Sequence, residues 1–159
     1  MPKVLLRTAD GRPWLSIAIA LLRSAGCDPV LVVLGAAIVD VPAGVVTVIA
    51  RGWEDGMSAS LRAGLRSASG DAVLVSLVDL PELPLEVVRR VSAGVVDTGT
   101  LRQAVFEGRP GHPVIIGRDH WDAVAETLSG DSGARDYLVA HGVDEIECGD
   151  LFDGHDIDR

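Results

Sequence analysis

The stretch DAVLVSLVDLPELP, residues 71–84, constrains the fold of this chain more than any other. It opens with an apolar run from Ala72 to Val78, and a run without polar alternation indicates a strand buried on both faces under helices. Asp79 ends the run, and the two prolines that follow exclude a longer strand. The pattern predicts a central strand with a carboxylate at its carboxyl end, where open α/β sheets bind ligands. The alternative is that Asp79 only starts a turn.

Apolar and amphipathic segments alternate along the rest of the chain. Short apolar runs predict further strands at 28–35, 45–50, 101–106, 114–116 and 143–148. Helical spacing predicts helices at 13–25, 58–70, 85–92, 118–129 and from 131 to about 142, the second with Ser58 as its N-cap. This alternation predicts a three-layer α/β/α fold with a mostly parallel, Rossmann-like sheet. The expected exception is the strand pair within 101–116, joined by the loop EGRPGHP.

Charge and cysteine content narrow the class of function. The length of 159 residues predicts one domain with a full core. A net charge of −9 argues against a general nucleic-acid surface, so phosphates would have to be met by metal ions or a few placed cations. Lys3 is the only lysine. Cys27 and Cys148 match neither a metal site nor a disulfide framework, which fits a reducing cytoplasm. No run approaches the ~18 apolar residues of a membrane span.

Polar groups recur where predicted strands end or helices begin: Lys3, the segment 56–58, Asp79 and Asp158. Phosphoryl and nucleotidyl transfer use such a set, because Mg²⁺ prefers one or two carboxylates together with substrate phosphates. A cation offsets charge on the phosphate oxygens, and helix N-termini present N–H groups to anions. The sequence contains neither GxxxxGK[ST] nor GxGxxG, so it supports neither a P-loop enzyme nor a dinucleotide dehydrogenase.

Six motifs carry a resemblance to a known family. They are PKVLL (2–6), GMSASLRAGL (56–65), VLVSLVDLP (73–81), GRPGHPV (108–114), SGDSGAR (129–135) and HDID (155–158). On these motifs the chain resembles the molybdenum cofactor cytidylyltransferases, within the MobA-like NTP transferase group. The resemblance implies a sheet of the nucleotide-diphospho-sugar transferase type and one domain over 1–159. It also implies Mg²⁺-dependent transfer of CMP from CTP to a molybdopterin-type cofactor phosphate, with release of pyrophosphate.

The resemblance implies a role for each matching residue. Lys3 and Asp79 are the expected catalytic residues, Lys3 contacting the nucleotide phosphates and Asp79 holding Mg²⁺ together with Asp158. The residues expected at the nucleotide are Gly56, Met57, Ser58 and Ser60. The residues expected at the acceptor are Gly111, His112, Asp131 and Arg135. The three tryptophans are expected to pack in the core, although Trp53 precedes the nucleobase segment and could flank it.

One family element has no counterpart in these residues, namely an opening central strand with a glycine-rich loop that cradles the triphosphate. We therefore expect an interruption of the sheet between 28–35 and 71–78. A non-catalytic accessory homologue that keeps the acceptor side is the competing hypothesis, and a transferase that uses GTP or a sugar phosphate is the third. The expected partners are CTP or another NTP, the pterin cofactor, and a molybdoenzyme or its chaperone, with neither nucleic acid nor membrane.

Overall fold

The computed structural model describes residues 2–157 of the chain. Its strands are β1 Leu31–Leu34, β2 Val46–Ile49, β3 Ala72–Val75, β4 Leu101–Phe106, β5 Arg109–Gly117 and β6 Asp144–Glu147. Its α-helices are α1 Trp14–Ser24, α2 Met57–Ser67, α3 Leu85–Val91, α4 Trp121–Thr127 and α5 Arg135–Ala140. Three short 3-10 turns lie at Lys3–Leu5, Trp53–Asp55 and Arg118–His120. Within 2–157, no helix combines the length and the apolar character that crossing a bilayer requires.

The strands form two sheets. β1 pairs in parallel with β2, and the other four strands follow the order β3-β5-β4-β6. β5 runs antiparallel to both of its neighbours, while β4 and β6 are parallel. The β4–β5 pair is thus antiparallel, as predicted for residues 101–116.

Helices cover both faces of the strands and join the two sheets into one layer. On one face, α1 packs on β1 through Ile19 and joins the cluster that contains β3 through Leu21. On the opposite face, α2 meets β1 at Gly64 and packs with β3 through Leu65. Because each helix bridges β1 and β3 from a different face, the two sheets lie side by side. The predicted three-layer α/β/α fold is confirmed.

The interruption expected in the sheet is observed between β1 and β3. In the described part of the chain, β1 pairs only with β2, and β3 only with β5. β3 ends at Val75 rather than at Val78, and all four of its residues are half-buried. β3 is therefore covered on both faces as predicted, but only in part, because a strand with a neighbour on one edge is less completely buried.

Two local predictions also need correction. α2 begins at Met57 with Gly56 as its N-cap residue, so Ser58 lies inside the first turn and does not cap the helix. The predicted loop EGRPGHP is mostly strand, because β5 begins at Arg109 after a two-residue turn of Glu107 and Gly108, both with positive φ. His112 therefore lies on a strand. Apolar content alone missed this half of β5, which is polar and less buried than the rest.

Candidate active site

The only lysine meets the carboxylate that follows β3. Lys3 lies in the first 3-10 turn, and its Nζ atom is 2.5 Å from Oδ2 of Asp79. Asp79 is only 6% exposed, whereas the Lys3 side chain is 36% exposed. A carboxylate that merely starts a surface turn would be solvated, so the burial and pairing of Asp79 indicate a different environment.

The second carboxylate oxygen of Asp79 differs from the first in its hydrogen bonding. Oδ1 is buried and has no hydrogen-bond partner among residues 2–157. Leaving a buried acceptor unpaired costs about 1–3 kcal/mol or more, so such an atom calls for an explanation. A divalent cation fits, because Mg²⁺ takes carboxylate oxygens and completes its shell with substrate phosphates and water. Within 2–157, no group of three or more His, Cys, Asp or Glu side chains is arranged to hold a metal.

The C-terminal segment reaches the same carboxylate residue. The backbone N–H of Ile157 donates to the carbonyl oxygen of Asp79 at 3.1 Å. This bond brings the HDI part of the last motif beside the turn that follows β3. Asp158, predicted as the second metal ligand, lies outside the described residues.

His112 faces this acidic surrounding from β5. Burial lowers the pKa of the His112 imidazole below its ordinary value, and the carboxylates of Asp79 and Asp156 offset part of that effect. The ring is therefore neutral at neutral pH and offers one donor and one acceptor. The predicted acceptor-side histidine and the predicted metal-side aspartate thus share one electrostatic environment.

Gly111, beside His112, is required by packing. A Cβ atom at Gly111 would lie 2.7 Å from Cε2 of Phe106, so only glycine fits there. Its carbonyl oxygen accepts a hydrogen bond from Nε2 of Gln103 at 3.2 Å, and Gln103 is buried on β4. Gln103 could not be singled out from the sequence, because a single amide within an apolar strand gives no signal of its partner.

The predicted nucleobase segment contacts the predicted acceptor loop. The N–H and the Oγ hydroxyl of Ser58 both donate to the carbonyl oxygen of Gly130, at 3.1 and 2.7 Å. A Cβ atom at Gly56 would lie 2.5 Å from both the Gly130 carbonyl and Oδ1 of Asp131. Gly56 has φ of 107°, which favours glycine for a second reason. The start of α2 and the loop before α5 are therefore fixed against each other.

The remaining predicted residues lie around this contact. Met57, the first residue of α2, is half-exposed, and Ser60 is half-buried one turn further along. Arg135 is exposed at the first position of α5. In the described part of the chain, no hydrogen bond or ion pair joins Ser60 or Arg135 to Asp79.

Sequence comparison matches the MobA-like NTP transferase domain to residues 1–146. The chain is also 34% identical over 172 residues to nicotine blue oxidoreductase of Paenarthrobacter nicotinovorans. That match covers 99% of this chain and 83% of the relative.

Structure comparison gives the same fold. Rv0371c from Mycobacterium tuberculosis H37Rv superposes with a TM-score of 0.75 at 25% identity, covering 93% of this chain and 79% of that one. Its manganese complex gives 0.69 at 24% identity, covering 92% and 82%. The 2-C-methyl-D-erythritol 4-phosphate cytidylyltransferase of Thermus thermophilus gives 0.66 at 20% identity, covering 99% and 88%. The nucleotide-diphospho-sugar transferase type of fold is thereby confirmed.

Proposed function

The chain belongs to the MobA-like NTP transferase family, and from that premise we propose that it transfers CMP from CTP to the phosphate of a molybdopterin-type cofactor. The observation that carries the proposal is the Asp79 carboxylate, which is buried, holds Lys3 with one oxygen and leaves the other without a partner in 2–157. A nucleotidyl transferase needs such a juxtaposition of a cation and a metal-binding oxygen beside its substrate phosphates.

In this reaction an oxygen of the acceptor phosphate forms a bond to the α-phosphorus of CTP. The bond from that phosphorus to the bridging oxygen breaks, and its electron pair leaves with pyrophosphate. The Lys3 ammonium stabilises negative charge on the phosphate oxygens. Asp79 would hold Mg²⁺ through Oδ1, and Asp158 is proposed as a further ligand. Bound there, Mg²⁺ would supply charge neutralisation between the two phosphates.

The two substrates are proposed to lie on either side of this pair. The nucleotide is assigned to the segment that contains Gly56, Met57, Ser58 and Ser60. The acceptor is assigned to Gly111, His112, Asp131 and Arg135. The contacts of Ser58 with Gly130 support a positioning role, since they tie the nucleotide segment to the acceptor loop. A neutral His112 can donate a hydrogen bond to an acceptor phosphate without a proton transfer.

The test is a coupled assay of pyrophosphate release from the purified protein with CTP, Mg²⁺ and a pterin-type cofactor phosphate, with GTP and ATP in parallel. Release that requires both Mg²⁺ and the acceptor supports the proposal, and a preference for GTP would transfer it to that nucleotide. Acceptor binding without release from any nucleotide would favour the accessory hypothesis. Because the 34% identical relative is named an oxidoreductase, a dye-reduction assay is run beside it, and turnover there alone would overturn nucleotidyl transfer.

A further inference from the structure

Trp53 stands apart from the other two tryptophans of the chain. Trp14 and Trp121 are 2% and 8% exposed, whereas Trp53 is 42% exposed. Trp14 and Trp121 pack in the core as expected, whereas the exposure of Trp53 fits the alternative that it flanks the nucleobase segment. Met57, four positions later, is 50% exposed. An exposed aromatic side chain and an exposed thioether four positions apart are residue types that binding surfaces commonly use.

The exposed indole is held in place by its backbone. The N–H of Trp53 donates to the carbonyl oxygen of Ala50 at 3.2 Å, and its own carbonyl accepts from Gly56 at 3.1 Å. The inner part of the side chain lies on the backbone of Gly35, where an added Cβ atom would come 2.6 Å from Cβ and 3.1 Å from Cγ of Trp53. Glycine at the end of β1 therefore makes room for the indole, which is fixed at its base and open beyond it.

The position and charge of this group indicate what it binds. Trp53 lies four positions after the end of β2 and packs on Gly35 after β1. It therefore stands at the carboxyl ends of two parallel strands, where open α/β sheets bind ligands. The flanking loop carries Arg51 against Glu54 and Asp55, one cation against two carboxylates. The net negative charge of this loop does not favour binding of phosphates, which would contact Lys3 instead. It does not oppose binding of a neutral planar ring.

We propose that the indole of Trp53 is a platform on which the planar nucleobase of the nucleotide stacks, with Met57 beside it. The inference rests on the proposed function and deepens it, because it assigns recognition of the base to a residue outside the six motifs. Base–aromatic stacking is sequence-tolerant, so the platform would set affinity for a ring and leave the choice of base to polar groups nearby.

The first test observes the indole N–H resonances of the full chain by NMR during titration with CTP. Each resonance is assigned by a tryptophan-to-phenylalanine substitution. We expect the Trp53 signal to shift with CTP but not with ribose 5-triphosphate, while the Trp14 and Trp121 signals stay in place as internal controls. A shift caused by a free pterin but not by CTP would overturn the proposal in favour of the acceptor ring.

The second test compares two variants. Trp53→Leu should weaken CTP affinity about tenfold, the size of the smaller stacking effects, whereas Trp53→Phe keeps a flat ring and should retain most of it. Affinity for ribose 5-triphosphate should stay unchanged in both. Equal CTP affinity in Trp53→Leu and wild type would overturn this inference and leave the proposed function intact. If CTP binds nowhere on the protein, the proposed function fails and the platform with it.

Discussion

The Lys3 ammonium lies 2.5 Å from one oxygen of Asp79 across 76 positions of sequence, while the other oxygen of that carboxylate is buried without a partner in 2–157. The pair fixes the cation and leaves one ligand atom open. A phosphate that approaches would therefore meet a cation already in position, at the point where a divalent ion would also be held.

Replacing Asp79 with Asn tests this arrangement. The variant keeps the size of the side chain but removes the charge that pairs with Lys3 and that is proposed to hold the metal. We expect Mg²⁺-dependent pyrophosphate release to fall by a factor on the order of 10²–10³, the scale for losing one preorganised electrostatic group. Glu82→Gln, an exposed charge removal nearby, is the matched control and should leave the rate unchanged. Equal rates in the two variants would contradict the role of Asp79.

Ser58 and Ser60 are expected to differ in role: the Ser58 hydroxyl stabilises the fold, whereas the Ser60 hydroxyl is proposed to contact the nucleotide. Ser58→Ala removes the Oγ bond to the Gly130 carbonyl and should lower the free energy of unfolding by about 1 kcal/mol in urea denaturation. The Ser60 hydroxyl has no hydrogen-bond partner in the described part of the chain, so Ser60→Ala should change the free energy of unfolding by less than about 0.5 kcal/mol. It should weaken nucleotide binding instead. A loss of stability in Ser60→Ala that matches Ser58→Ala would contradict the assignment.

Glu147 gives the fold a pH-dependent clamp. Its carboxylate accepts the backbone N–H groups of Gly149, Glu107 and Gly108 at 2.8–2.9 Å, and these bonds lower its pKa. The Glu147 carboxyl group therefore binds a proton less tightly in the folded state than in the unfolded state. This stabilisation is complete above the ordinary glutamate pKa of about 4.3 and is lost as the pH falls through the lowered value.

The expected signature of the Glu147 clamp is a difference in melting temperature between wild type and Glu147→Gln that is largest near neutral pH. The difference should shrink as the pH falls from about 4.3 through the lowered pKa, because Glu147 is uncharged, like glutamine, only below that lowered value. Glu145→Gln, on the same strand, is the control and should show no such trend. A difference that is constant over the whole pH range would show that the loss is one of packing and not of charge.

Local spacing was enough to predict most elements of this fold, because a helix or strand depends on neighbours within a few residues. The contact of Ser58 could not be predicted in this way, because its partner Gly130 is 72 positions away in the sequence. The Ser58 hydroxyl donates to the Gly130 carbonyl and does not cap the helix. The burial of Asp79 could be anticipated from the apolar run before it. The lack of a partner for its second oxygen within residues 2–157 could not be anticipated, because it depends on Lys3 contacting only one of the two oxygens.

The edge of β1 that faces away from β2 can be identified residue by residue. The carbonyl oxygens of Val30 and Leu34 accept from Val46 and Ala50 of the β2 segment, at 3.0 and 2.8 Å. In a strand, successive residues direct their N–H and C=O groups to opposite edges. The N–H and C=O groups of Val32 and Leu34 therefore point toward β2. Those of Leu31 and Val33 point to the opposite edge, across the interruption from β3.

Amide hydrogen exchange tests whether this edge is open in solution. The N–H groups of Leu31 and Val33 have no hydrogen bond to a neighbouring strand among residues 2–157, so they should exchange much faster than those of Val32 and Leu34 on the same strand. The same contrast is expected on β3, with Leu74 faster than its neighbours. We propose that a further strand fits between these edges, and its addition should slow exchange at Leu31 and Val33 on β1. Protection of these two amides in the chain by itself would show that another backbone segment, such as a second copy, already pairs there.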